Sequence, residues 1–219
     1  SLSPPRRATM PPLKEGSAML PRAKVFALLC LSALLSGLLA ACYPTSENPI
    51  GVSAGPTALD ARLTGVWKGR IGTDKDATAY LFAFPREGGR LEAMLLHPSA
   101  TDDKGDWTTV SLTPGKAGTA NILNAKLVLD NGAPAREGTV DYTPVLYRFD
   151  PSGELRLFVL DEKALADAVR QNRIAGTVKE SSLGNDVRLT ADAKTLDAFF
   201  AANAAALFTE DYGSFRQSP

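Results

Sequence analysis

From residue 61 onward, apolar and polar residues alternate with a period of two over most of the chain, the pattern of half-buried β-strands. Leu63, Gly65, Trp67, Gly69 and Ile71 share one face of a first strand, and residues 78–84 read as a second that is apolar on both faces. A turn at residues 85–89 follows, after which Leu91, Ala93 and Leu95 alternate with Glu92, Met94 and Leu96. Residues 107–113 form another strand, which Pro114-Gly115 is expected to break. Residues 120–130 hold one long or two short strands and end at Asn131-Gly132, a favoured tight-turn pair. The clearest local unit is a hairpin in which Asp150-Pro151-Ser152-Gly153 joins residues 145–149 to residues 155–160.

Two stretches switch to the helical period. Asp161 is placed to cap a helix running to Arg173, with Leu165, Ala168, Val169 and Asn172 on one side. Leu196, Phe199, Phe200, Asn203 and Leu207 form the apolar face of a second helix, capped by Thr190 or Asp192. Short strands at residues 174–179 and 186–190 lie between them. Eight or nine strands with two helices in the C-terminal third predict a mainly β domain. Its expected form is an antiparallel meander that makes a barrel or strongly curved sheet, with a helix closing an end.

The N-terminal third has a different character. Arg22 and Lys24 precede an uncharged apolar run over residues 25–41 that ends in Ala40-Ala41, the layout of a secretory leader. The run falls short of the ~20 apolar residues that span a bilayer and is interrupted by Ser32, Ser36 and Gly37. A start at Met19 gives a leader of 23 residues, whereas one from Ser1 has 41. Residues 42–60, rich in Pro, Ser, Asn and Gly, read as a flexible tether. Residues 61–208 suit one globular domain, and residues 209–219 read as a tail.

Leu39-Ala40-Ala41-Cys42 resembles the lipobox of bacterial lipoprotein precursors. That resemblance implies a diacylglyceryl group on the Cys42 thiol, cleavage before Cys42 and acylation of its new amine. Three acyl chains exceed what stable anchoring needs, at roughly 0.8 kcal/mol per buried methylene. In the same family an Asp after the cysteine holds proteins at the inner membrane; Tyr43 here implies the periplasmic face of the outer membrane. Leu63-Thr64-Gly65-Val66-Trp67 is similar to the Gly-x-Trp opening of lipocalin-like barrels, in which the tryptophan plugs the barrel floor. The order of Asn121-Ile122-Leu123-Asn124, Tyr147-Arg148-Phe149, residues 155–160, a helix and Ile174-Ala175-Gly176 also resembles a set of uncharacterised envelope lipoproteins.

Composition narrows the chemistry. Cys30 lies in the leader and Cys42 at its end, so the domain has no cysteine for a disulfide or thiol chemistry. Removing residues 1–41 takes away five basic residues and one acidic residue, leaving 19 Lys and Arg against 23 Asp and Glu. A mildly acidic, unclustered surface argues against nucleic acid or anionic headgroups as the main partner. His97 is the sole histidine, next to Ser99 and the acidic stretch at residues 101–106, so a hydrolase would have to use it. Neither a nucleophile elbow nor calcium-loop spacing is present, and no enzyme activity, metal or cofactor is expected.

An eight-stranded barrel is either filled by side chains or just wide enough for one small ligand. Trp67, Tyr80, Phe82, Met94, Trp107, Tyr147 and Phe158 are the candidate lining residues of such a pocket, with Arg148 or Arg156 at its mouth to meet an acyl carboxylate. The sequence thus points to a lipid-anchored, non-enzymatic envelope protein that binds a small apolar ligand in a barrel. Its alternative is a structural or protein-interaction module with a filled core.

Overall fold

The computed structural model describes residues 43–72, 78–98, 105–135, 141–182 and 184–218. Residues 1–42, where the leader and the lipidated cysteine are expected, Ser99 and residues 101–104 of the acidic stretch lie outside the described residues. In the first barrel strand Trp67 is buried while its neighbours Val66 and Lys68 are exposed, as period-two burial demands. Eight antiparallel strands make up most of the main sheet. They are β2 (Gly65–Ile71), β3 (Ala79–Arg86), β4 (Arg90–His97), β5 (Asp106–Ala117), β6 (Ala120–Asp130), β8 (Thr143–Phe149), β9 (Leu155–Val159) and β12 (Glu210–Gln217). Pairing of β5 with β6 and of β12 with both β9 and β2 closes them into a barrel. This is the lipocalin-like form of the expected fold.

The turns follow their sequence chemistry. Asn131 and Gly132 both take positive φ and carry β6 back into β7 (Ala133–Pro134). Between β8 and β9, the Asp150 carboxylate accepts from the Ser152 and Glu154 amides at 2.8 and 3.0 Å and from the Ser152 hydroxyl at 2.7 Å. The Ser152 hydroxyl holds that carboxyl below its usual range.

A long excursion separates β9 from β12. It contains α1 (Glu162–Arg170), the hairpin of β10 (Gly176–Ser181) and β11 (Gly184–Leu189), and α2 (Ala193–Leu207). Asp161 and Asp192 cap the helices by accepting from the Ala164 and Thr195 amides at 2.8 and 2.9 Å. Helix α1 ends at Arg170 rather than Arg173, because Asn172 turns into the left-handed region. Rather than closing a barrel end, both helices pack with the small sheet against the outer wall. Leu165, Leu196, Phe200 and Phe208 meet Ile122 and Leu146 of β6 and β8 in a second core outside the barrel.

Three sequence expectations are corrected. Residues 43–60 are not a free tether. Thr45–Ser46 forms β1, paired in parallel with β11, and Ile50 is fully buried. Its amide donates to Asn124 Oδ1 at 2.7 Å, and Asn124 Nδ2 donates to the Ile50 carbonyl at 2.9 Å. Asp197 accepts from the Gly51 and Ser53 amides, and Arg188 pairs with both Glu47 and Asp141 at 2.6 Å. Residues 209–219 are not a tail either, since β12 is the strand that closes the barrel. Finally, β5 runs straight through Pro114-Gly115. Its pairing with β4 ends at Leu112, and beyond that point the Lys116 amide donates to the Gly51 carbonyl at 2.8 Å. Pro114 lies in phase with Lys116, so its missing N–H falls on the same side, away from β6. Gly115 lets this arm come close, because a Cβ there would meet the Ile50 carbonyl at 2.0 Å.

Candidate functional site

The barrel bore is the first place to look for a ligand, and side chains occupy it. Trp67, Leu91, Leu112, Leu123, Tyr147, Leu155, Leu157 and Phe215, none more than 8 % exposed, pack together there with the small Ala79, Ala83 and Ala93. One end is floored by aromatic rings. Trp67 and Phe149 lie 5.9 Å apart, Tyr147 meets Phe149 edge-on at 6.2 Å, and the Trp67 indole N–H donates to the Leu63 carbonyl at 3.1 Å. The Arg62 guanidinium sits 4.3 Å over Phe149 and is gripped by Asp60 through bonds of 3.0 and 2.7 Å. That grip holds the Asp60 carboxyl below its ordinary range.

The candidate residues do not share one cavity. Trp67 and Tyr147 belong to the bore, while Tyr80, Phe82, Met94, Trp107, Phe158, Arg148 and Arg156 stand on the outer wall. The inward positions of β3 and β4 are Ala79, Leu81, Ala83 and Leu91, Ala93, Leu95, so the neighbours of each must face outward. Phe158 packs against the second core, flanked by Arg148 and Arg156 at 5.3 and 5.5 Å. Those arginines are cross-strand partners, and Arg156 also pairs with Asp211. Arg148 borders a cleft of about 280 Å³ between α2 and the outer wall, lined by Ala117, Ala120, Ala201 and Ala205 among others, not the mouth of the bore.

The outward positions of β2 to β5 align in two rows, of which Thr109 alone is buried, at 4 % exposure. Lys68, Tyr80, Leu96 and Trp107 are aligned by cross-strand register, and so are Val66, Phe82, Met94 and Thr109. Val66 is 36 % and Met94 38 % exposed, and Phe84 just beyond them 51 %. The Lys68 ammonium lies 5.9 Å from the Tyr80 ring centre. Trp107 is fixed to the tight turn by Asn131: its amide donates to Asn131 Oδ1 at 2.8 Å, and the Asn131 amide donates back to its carbonyl at 2.9 Å.

His97, the last residue of β4, pairs in register with Asp106. Burial holds its imidazole below the usual range, and the nearby Asp106 carboxylate opposes that shift. At the same end of the barrel Tyr43 meets Tyr212 edge-on at 5.8 Å, and the Tyr212 carbonyl accepts from the Gly72 amide at 2.9 Å. Burial pushes the Tyr212 hydroxyl up to about 12, from an ordinary value of 10.0. An unfolded Tyr212 therefore ionises first as pH rises. The stability linked to the neutral ring is complete below pH ~10 and is lost as pH climbs toward 12, by roughly 3 kcal/mol. Tyr212→Phe is expected to flatten this alkaline fall in chemical-denaturation curves; an unchanged slope between pH 10 and pH 12 would refute it.

Sequence patterning passed over the arm and its lock. Asn124 is fully buried on the outer side of β6, where only a polar residue inside the apolar run 122–125 hints at a specific partner. Compared with protein families, curated proteins and solved structures, the chain matches none.

Proposed function

We propose that this chain is a lipid-anchored, non-enzymatic protein of the bacterial envelope, attached through Cys42, whose barrel works by its outer surface and carries no small molecule inside. The observation that carries the reading is the filled bore, where Trp67 and Phe215 stand at 2 % and 0 % exposure and leave the centre to protein atoms. A carrier of small apolar molecules needs an enclosed apolar cavity of several hundred Å³ with a few convergent polar groups. Here the polar groups at the floor of the bore, Arg62 and Asp60, are engaged with each other and with Phe149. The apolar rows on β2 to β5 supply what a surface-acting module requires. The anchor reading is supported by the leader and by Leu39-Ala40-Ala41-Cys42.

The test is mass spectrometry of the full chain expressed in a bacterium and extracted from its membranes. We expect a mature protein that begins at Cys42 with the mass of three acyl chains, and no stoichiometric apolar adduct under native conditions. An unmodified Cys42 would remove the anchor. A one-to-one apolar adduct that survives native ionisation would restore the carrier.

A further inference from the structure

We propose that the barrel is seated directly on the lipid surface by the end that carries Tyr43, with the outer row Lys68–Tyr80–Leu96–Trp107 facing the headgroup region. The inference rests on the lipid anchor at Cys42. It goes beyond that anchor by fixing which face of the domain meets the membrane.

The first argument is tether length. Tyr43 follows Cys42 directly in the chain and already packs on Tyr212; Pro44 is buried, and Thr45 begins β1, in register with Arg188 of β11. Consecutive Cα atoms are ~3.8 Å apart, so the lipidated residue lies within about 8 Å of Pro44. A domain held that closely cannot float clear of the bilayer. The end that bears Tyr43 must lie at its surface.

The second argument is independent and concerns what that end presents. Gly72, bonded to Tyr212, directly follows the last residue of β2, while Tyr80 is second in β3, Leu96 next to last in β4 and Trp107 second in β5. All belong to the end of the barrel at which Tyr43 docks. At strand spacings of ~4.8 Å the row runs about 14 Å around the wall from Lys68 to Trp107. Tyrosine and tryptophan with an apolar body and a polar edge suit the headgroup boundary, and lysine can lay its stem along apolar surface while its charge stays wet. None of the eight residues in the two rows is a carboxylate, which would repel anionic headgroups. Asp106, exposed next to Trp107, accepts from Asn131 Nδ2 at 3.3 Å, and Glu92 in the following row is paired with Arg86 at 2.7 Å.

The experiment uses the full, processed chain in vesicles of phosphatidylethanolamine and phosphatidylglycerol whose acyl chains are brominated near the ester end. Bromine quenches indole emission on contact. Trp67 is buried in the bore and out of reach, so wild-type emission should lose most of its Trp107 contribution, and Trp107→Phe should show no bromine-dependent loss. A fluorophore on Ser152→Cys, in the turn at the opposite end of the barrel, should remain unquenched. Acylated protein in which wild type is quenched no more than Trp107→Phe would overturn the seating, as would a Ser152 fluorophore quenched as strongly as Trp107. Intact mass measured on the same sample separates the two readings: protein without acyl chains overturns both, whereas acylated but unquenched protein overturns the seating alone.

Discussion

Truncation after Thr209 is expected to leave no folded barrel. β12 contributes five register pairs to β2 and five to β9, so its removal opens the sheet and bares two strand edges. It also deletes Phe215, which is fully buried in the bore. A Phe→Ala cavity alone costs ~3–5 kcal/mol, against a total stability of about 5–15 kcal/mol for a domain of this kind. β12 lies so close to β2 that a Cβ on Gly69 would meet the Ser214 carbonyl at 1.9 Å, with the Phe215 ring 2.8 Å away. Circular dichroism of the truncated chain is expected to lose the cooperative thermal transition, and Phe215→Ala in the full chain to keep one at a much lower temperature. A truncated chain melting within a few degrees of wild type would mean that the barrel does not need its closing strand.

The second large effect is expected from Asn124→Leu, which keeps the size of the side chain and removes its amide. The amide and carbonyl of Ile50 both depend on Asn124, whose Nδ2 also donates to the Thr113 carbonyl at 3.1 Å. Each buried backbone group left without a partner costs ~1–3 kcal/mol, so the two groups of Ile50 together lose about 2–6 kcal/mol. Much of it should appear as local release of the arm. Hydrogen exchange is expected to accelerate at residues 50–53 while the amides of β2, β3 and β12 remain protected. Unchanged exchange at Ile50 would show that β1 and Asp197 hold the arm without Asn124.

These two sites are also where sequence patterning and the folded chain part company. Period-two alternation located every strand of the barrel except the last. In β12 a bulge between Asp211 and Gly213 puts Tyr212 and Phe215 three residues apart in the chain yet both against the bore, a spacing that is not a strand's. The arm was invisible for another reason. Its partners, Asn124 and Asp197, are 74 and 146 residues away, and its composition of Pro, Ser, Asn and Gly is the same as that of a linker. The candidate pocket was divided because β3 is apolar on both faces, so periodicity places Tyr80 and Phe82 together without saying on which side. Volume settles the side. With Trp67 and Phe215 already in the bore, the inward positions of β3 have room for Ala79, Leu81 and Ala83, and the large rings are left outside.

The joining of β2 to β12 also sets the order of events when the chain folds. Ile71 finds its partner in Gly213 and Trp67 in Gln217, so the seam of the barrel joins the first long strand to the final one. Contacts this distant are slow to form, because the entropy of closing so large a loop is lost before any of the seam is gained. Of the barrel strands, β12 is the last that a ribosome releases. Until then the growing polypeptide can make hairpins but no closed barrel.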